Sequence, residues 1–129
     1  MTKTNSVSVA GTASIPEVVI GGDAPLTILC GPCVIESEEH ALMMAEAISE
    51  VCGELSLPLV YKSSFDKANR TSDSSFRGMG IEAGLDILSK VKEKFKVPLI
   101  SDIHSPEQAK IAAKSLDCLL YTSPSPRDS

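Results

Sequence analysis

The chain contains no Trp, and only 4% of its 129 residues are aromatic. Proteins that bind single-stranded nucleic acid by stacking bases need aromatic side chains, so the composition disfavours that class. The net charge of −5 at pH 7 points the same way, because binding to a nucleic-acid backbone normally requires a basic face. The sequence therefore predicts no nucleic-acid partner.

The sequence also lacks an apolar run of about 18 residues and a basic start followed by an apolar segment. It thus predicts neither a membrane-spanning helix nor a signal peptide, and we expect a cytoplasmic protein. Cysteine is scarce, with four residues: Cys30, Cys33, Cys52 and Cys118. Since 43% of the chain is hydrophobic, we expect reduced thiols or a metal ligand rather than a secreted disulfide framework.

The N-terminal part predicts a frayed start and a hairpin. Met1–Val9 is polar and repetitive in Thr, Ser and Val, which is typical of an unstructured terminus. Two apolar runs, Ile15–Ile20 and Leu26–Cys30, flank a turn of Gly, Asp, Ala and Pro. They predict a short hairpin that leads into a buried strand.

Helix-like and strand-like patterns then alternate along the chain. Ser37 predicts an N-cap because acidic residues follow it, and Ser105–Gln108 forms a capping box with Pro at the first helical position. The predicted elements are a helix over 38–55, a strand over 59–62, a helix over 81–95, a strand over 98–102 and a helix from 106 to about 114. This order predicts a parallel α/β sheet, as in a (β/α)₈ barrel or a doubly wound fold. Three βα units are too few to close a barrel.

Chemically active residues follow the predicted strands. Lys62 ends one strand, and Lys67 and Arg70 lie shortly after it. Asp102 and His104 end another, two residues apart and so on one side of an extended chain. Because ligands bind at the carboxyl ends of parallel strands, the pattern predicts a site for small phosphorylated molecules. A solvated basic loop and a polar helix-entry loop are the alternatives.

Cys30-Gly31-Pro32-Cys33 matches the dithiol motif of thioredoxin-like oxidoreductases, whose first cysteine lies at a helix N-terminus. Here Val34–Glu36 separates Cys33 from the predicted N-cap at Ser37, and no Trp precedes the motif. Half of a zinc site is a second possibility, but no second pair completes it. A buried cysteine pair and a single metal ligand at a strand end also stay open.

Four segments together resemble the 3-deoxy-D-manno-octulosonate 8-phosphate synthases: Gly31–Ser37, Lys62–Ser72, Phe76–Gly78 and Asp102–His104. That family condenses phosphoenolpyruvate with arabinose 5-phosphate on a TIM barrel. The run K-S-S-F-D-K-A-N-R is specific, since the related 3-deoxy-arabino-heptulosonate 7-phosphate synthases are expected to carry a K-P-R-T type segment at Lys67–Arg70. The resemblance implies an N-terminal hairpin and about three βα units of a TIM (β/α)₈ barrel.

The resemblance also implies roles for single residues. Lys62, Ser64 and Lys67 would hold the phosphate and carboxylate of phosphoenolpyruvate. Three residues of the following loop would contact arabinose 5-phosphate: Asn69, Arg70 and Thr71. Positive charge around both phosphorylated substrates would let the enol carbon reach the aldehyde.

Lys62, Asp102 and His104 would be the catalytic residues by the same resemblance. Cys33 stands where the metal-independent members carry Asn, which implies a divalent metal, zinc, iron or manganese, and no organic cofactor. The other metal ligands, a His, a Glu and an Asp, would lie on later strands. The full-length form would be a homotetramer.

The resemblance covers residues 15–117 and divides the chain into three parts. Residues 1–14 are expected to be disordered, 15–117 to form the N-terminal part of a synthase domain, and 118–129 to be a non-native, adapter-derived tail. We accordingly expect a fragment that is inactive by itself. A thioredoxin-like dithiol at Cys30 and Cys33, and a class I aldolase with a Schiff base on Lys62, are the alternative functions.

Overall fold

The computed structural model describes residues 5–10, 15–65 and 80–121. In these ranges two strands form an antiparallel hairpin, β1 (Ser6–Val9) and β2 (Val18–Gly21). Four further strands form a parallel sheet in the order β3 (Ile28–Cys30), β4 (Leu59–Lys62), β5 (Leu99–Ile103) and β6 (Cys118–Tyr121). The helices are α1 (Glu38–Glu54), α2 (Ile81–Phe95) and α3 (Pro106–Ala112). The predicted mixed α/β class with a parallel sheet is confirmed.

The hairpin joins different segments from those predicted, and this part of the prediction was wrong. Ser6–Val9, expected to be frayed, is its first strand, and β2 pairs with that segment rather than with Ile28–Cys30. The Ser-Val alternation of residues 6–9 has the two-residue period of a strand, a signal that its polar composition obscured. Ile28–Cys30 instead forms an edge of the parallel sheet and is partly exposed rather than buried.

The helices α1 and α3 begin where local capping chemistry predicts. The Ser37 hydroxyl accepts a hydrogen bond from the His40 N–H at 3.0 Å and so caps α1. The Ser105 hydroxyl accepts from the Gln108 N–H at 3.3 Å and caps α3. In the described part of the chain, no helix combines the length and the apolar character needed to cross a membrane.

The parallel sheet carries apolar side chains on both faces. On one face Tyr61 and Leu99 pack against the helices, and the Tyr61 hydroxyl donates to the Ala41 carbonyl oxygen at 3.1 Å. On the other face Val60 and Ile100 pack against the hairpin. Burial contributes about 1.5–3 kcal/mol for each such aliphatic side chain. Side chains alternate along a strand, so Lys62 and Asp102, two residues beyond Val60 and Ile100, lie on the face that is turned away from the helices.

The last described segment is a strand, Cys118–Tyr121. Cys118–Tyr121 pairs in parallel with β5, with Cys118 opposite Ile100. The Asp117 N–H donates to the Leu99 carbonyl oxygen at 3.1 Å and aligns the two strands. The apolar Leu-Leu-Tyr run pairs with the open edge of β5 and satisfies its backbone hydrogen bonds. The non-native origin proposed for residues 118–129 stays a prediction.

Candidate functional site

The carboxyl ends of β3, β4 and β5 lie side by side in the sheet. Lys62 ends β4 opposite Ile100, and Ser64 continues the strand line by a parallel bridge to Val34. Asp102 lies near the end of β5, with His104 just after it. The structure thus brings predicted site residues from three segments to the carboxyl end of the sheet.

Ser64, Asp102 and His104 form a connected set. The Ser64 hydroxyl donates a hydrogen bond to Oδ1 of Asp102, and both residues are buried. Oδ2 of the same carboxylate lies 3.4 Å from Nε2 of His104, whose side chain is partly exposed. A buried carboxylate therefore holds a more accessible imidazole at the edge of the site, an arrangement that can bind or transfer a proton.

The loop between β3 and α1 is fixed to β4 by hydrogen bonds. The Ser63 hydroxyl donates to the Pro32 carbonyl oxygen at 2.7 Å, and the Ser64 N–H donates to the Cys33 carbonyl oxygen at 3.3 Å. Between the pairs Cys30–Tyr61 and Val34–Ser64, three residues lie on the β3 side and two on the β4 side. This extra residue is a bulge, a feature that often redirects a side chain beside a site.

Two residues of this region were missed by the sequence analysis. Ser63 is fully buried and secures the bulge through Pro32. Gln108 accepts a hydrogen bond at its Oε1 from the His104 N–H at 2.7 Å and so restrains the loop after β5. The capping box signalled Gln108, but the usual pattern returns to the N-cap residue, whereas here the contact falls one residue earlier.

Four of the predicted substrate-binding residues lie outside the described ranges, in the stretch 66–79: Lys67, Asn69, Arg70 and Thr71. Their predicted roles stay predictions. Lys62 and Ser64, the other two, are both at the end of β4, where Lys62 is partly buried and Ser64 fully buried.

Cys33, the predicted metal ligand, has an exposed free thiol. Residues 5–10, 15–65 and 80–121 contain no group of three or more His, Cys, Asp or Glu side chains placed to hold a metal ion. Zinc and iron sites take at least about three protein ligands. The described residues supply a suitable thiolate donor but do not by themselves complete a metal site.

The C-G-P-C motif does not have the placement that a thioredoxin-like dithiol needs. Cys30 ends a strand and Cys33 lies in the bulged loop, whereas the N-cap of α1 is Ser37. No helix dipole is therefore directed at either thiol. Cys52 is a core residue as predicted, and burial, with a smaller contribution from nearby Cys30, raises the pKa of its thiol.

Comparison with known proteins shows the family of the chain. Residues 3–120 match the model of the DAHP synthetase I family, and the chain belongs to that family. The match begins before and ends beyond the 15–117 span of the resemblance in the sequence.

Within this family the chain is similar to proteins named 2-dehydro-3-deoxyphosphooctonate aldolase. It is 53% identical to that of Geotalea daltonii over 106 residues, which are 82% of this chain and 39% of the relative. It is 53% identical to that of Rickettsia typhi over 79% of this chain and 37% of the relative. It is 54% identical to that of Geobacter sulfurreducens over 82% of this chain and 39% of the relative. The chain thus spans less than two fifths of the length of these relatives.

Proposed function

We propose that this chain forms part of a 2-dehydro-3-deoxyphosphooctonate aldolase that condenses phosphoenolpyruvate with D-arabinose 5-phosphate, giving 3-deoxy-D-manno-octulosonate 8-phosphate and phosphate. The observation that carries the proposal is the identity of more than half of the aligned residues to proteins of that name, over about four fifths of this chain. The product class places the enzyme in lipopolysaccharide precursor synthesis.

The basic residues around the end of β4 would hold the substrates. Lys62 and Lys67 would neutralise the phosphate and carboxylate of phosphoenolpyruvate, which lowers the cost of bringing a second phosphorylated molecule close. Asn69, Arg70 and Thr71 would bind arabinose 5-phosphate, and Arg suits a phosphate group because its planar fork donates two parallel hydrogen bonds.

Asp102 and His104 would serve the reacting centre. When the enol carbon attacks the aldehyde carbon, the aldehyde oxygen takes up a proton and becomes a hydroxyl. His104 would donate or hold that proton, and the Asp102 carboxylate, 3.4 Å from Nε2, would orient the ring. Water then adds at the carbon that bears the phosphate ester, and cleavage of its C–O bond releases phosphate.

We propose that Cys33 is one ligand of a divalent metal, zinc, iron or manganese, and that a His, a Glu and an Asp from outside the described residues complete the site. The exposed Cys33 thiol in the loop after β3 supports this role, because thiolates bind zinc and iron well. When bound, the metal would supply Lewis-acid chemistry at the aldehyde or at water. No organic cofactor, nucleic acid or membrane enters the proposal, and the complete enzyme would be a cytoplasmic homotetramer.

The function is tested in a chimera that joins residues 1–117 of this chain to the remaining C-terminal segment of the Geotalea daltonii aldolase. Phosphate release from phosphoenolpyruvate is expected with arabinose 5-phosphate and not with erythrose 4-phosphate. The Lys62→Ala variant should lose most activity, whereas Lys90→Ala, which removes an exposed lysine of α2, should not. Equal activity with both sugars would contradict the proposed substrate.

Three further measurements test the expected inactivity of the chain alone and the two alternative functions. The 129-residue chain alone is expected to be inactive, since it spans only 39% of the Geotalea daltonii relative. Borohydride treatment in the presence of substrate would label Lys62 if the reaction ran through a Schiff base, and we expect no label. A thioredoxin-like activity would require reduction of insulin disulfides that Cys33→Ser abolishes, and we expect none.

A further inference from the structure

Ser64 is held in place by its backbone at the carboxyl end of β4. Its N–H donates to the Cys33 carbonyl oxygen at 3.3 Å, and its carbonyl oxygen accepts from the Ile35 N–H at 2.8 Å. The residue has 0% of its surface exposed. With both backbone groups paired to the Cys33–Ile35 segment, the main chain of Ser64 is fixed, and its hydroxyl reaches Asp102 on the neighbouring strand β5.

The hydroxyl of Ser64 is committed to Asp102. It donates its proton to Oδ1 of that carboxylate, and a hydroxyl has only one proton to donate. Its remaining lone pairs can only accept. The phosphate and carboxylate groups of a substrate need donors, so a buried Ser64 in this arrangement offers them nothing. The geometry thus argues against the substrate contact that the family resemblance implies for this residue.

We propose that Ser64 is a positioning residue that orients Asp102, and through Asp102 the ring of His104. Its hydroxyl fixes one carboxylate oxygen, which leaves Oδ2 directed at Nε2 of His104 at 3.4 Å. Without the hydroxyl the carboxylate can rotate, and the imidazole loses its fixed partner. The catalytic role in this proposal rests on the proposed function. The orientation of Asp102 and His104 by Ser64 does not depend on it.

The kinetic test uses Ser64→Ala in the chimera, with Ser101→Ala as the matched control. Ser101 is also fully buried and precedes Asp102 on β5, but its hydroxyl has no hydrogen-bond partner in the described part of the chain. Both changes remove the same atom from a buried site. We expect kcat to fall by about 100-fold in Ser64→Ala, as for a displaced catalytic group, with the KM for phosphoenolpyruvate little changed. Ser101→Ala should retain the original kcat.

Two kinetic results would overturn the proposal. A large rise in the KM for phosphoenolpyruvate with an unchanged kcat would show that the Ser64 hydroxyl binds substrate. Equal behaviour of Ser64→Ala and Ser101→Ala would show that the hydrogen bond to Asp102 has no role in turnover. Ser64→Cys, which keeps a weak donor of similar shape, should recover part of the lost kcat.

A spectroscopic test separates this proposal from the proposed function. In the 129-residue chain, the ¹⁵N shifts of the His104 ring report which nitrogen carries the proton, and Asp102 should favour the proton on Nε2. Ser64→Ala should shift this balance and Ser101→Ala should not. If the unaltered chimera is inactive, the proposed function fails while the ring measurement still decides the role of Ser64. Identical His104 spectra in the two variants would overturn the positioning role of Ser64.

Discussion

Gly31 lies against the backbone of Lys62 so closely that a Cβ atom at Gly31 would overlap the Lys62 carbonyl oxygen. The contact lies at the start of the bulge, between the residue that follows β3 and the last residue of β4. Only glycine lets the two strand ends approach to this extent. The position of the Cys33 loop therefore depends on the absence of a side chain at residue 31.

Gly31→Ala is expected to destabilise the chain by about 1–3 kcal/mol, because the clash is with backbone that cannot move without disturbing the sheet. Gly53→Ala is the matched control. Gly53 lies in the last turn of α1, and a Cβ there meets nothing within 4 Å. That variant should be slightly more stable, by about 0.5–1 kcal/mol, since Ala loses less entropy in a helix. Urea unfolding at pH 7 measures both, and equal effects of the two would contradict the crowding at Gly31.

Tyr61→Phe is expected to cost about 1 kcal/mol at pH 7 through loss of the hydrogen bond to the Ala41 carbonyl oxygen. The difference should shrink at alkaline pH. Burial, with a smaller contribution from Cys30, raises the pKa of Tyr61, so the folded chain holds the phenolic proton more tightly than the unfolded chain. This stabilisation is complete below the unfolded pKa of about 10 and is lost as the pH rises toward the folded value.

Unfolding free energies of the original chain and of Tyr61→Phe, measured from pH 7 to pH 11, test this linkage. The original chain should lose stability more steeply above about pH 10, because the variant has no phenol at this position to ionise. Parallel curves over the whole range would contradict it.

Asp117→Ala is expected to destabilise the chain by about 2 kcal/mol. Oδ2 of Asp117 accepts from the Leu99 N–H at 2.8 Å and pairs with Nζ of Lys92 at 2.8 Å. The variant leaves the amide of a fully buried residue without this acceptor at the start of β5. Lys90→Ala is the contrasting change: its ion pairs with Glu38 and Asp86 are exposed, and solvent weakens them. Thermal unfolding should show a clear loss for Asp117→Ala and little for Lys90→Ala.

Chelation tests the proposed metal. The chimera is expected to lose most activity in EDTA and to regain it with zinc, iron or manganese. Cys33→Ala should lower the metal content measured by atomic emission, whereas Cys52→Ala, which truncates a buried thiol on α1, should keep it. Full activity in EDTA, or an unchanged metal content in Cys33→Ala, would exclude Cys33 as a ligand.

Local signals predicted the elements that local chemistry builds. Ser37 caps α1 where the sequence indicates, and β4 and α2 have the predicted bounds. Strand partners could not be predicted in the same way, because pairing depends on segments far apart in the chain. The Ser-Val alternation at residues 6–9 does not reveal that its partner is Val18–Gly21. Cys118–Tyr121 forms a strand by pairing with the open edge of β5.

The same limit applies to the site. The residue types of Lys62, Asp102 and His104 indicated a site at the carboxyl ends of the strands. The hydrogen bond from Ser64 to Asp102 joins residues 38 positions apart, and no periodicity or motif in the chain encodes it. The role of Ser63 was likewise invisible, because its partner is a backbone carbonyl on another segment.

The hairpin packs on the same face of the sheet that carries Lys62 and Asp102. Val18 packs on Val60 and Ile100, and two residues further along those strands, on the same face, come Lys62 and Asp102. A substrate bound beside Lys62 and Asp102 would therefore have this apolar cluster on the side toward the amino ends of the strands.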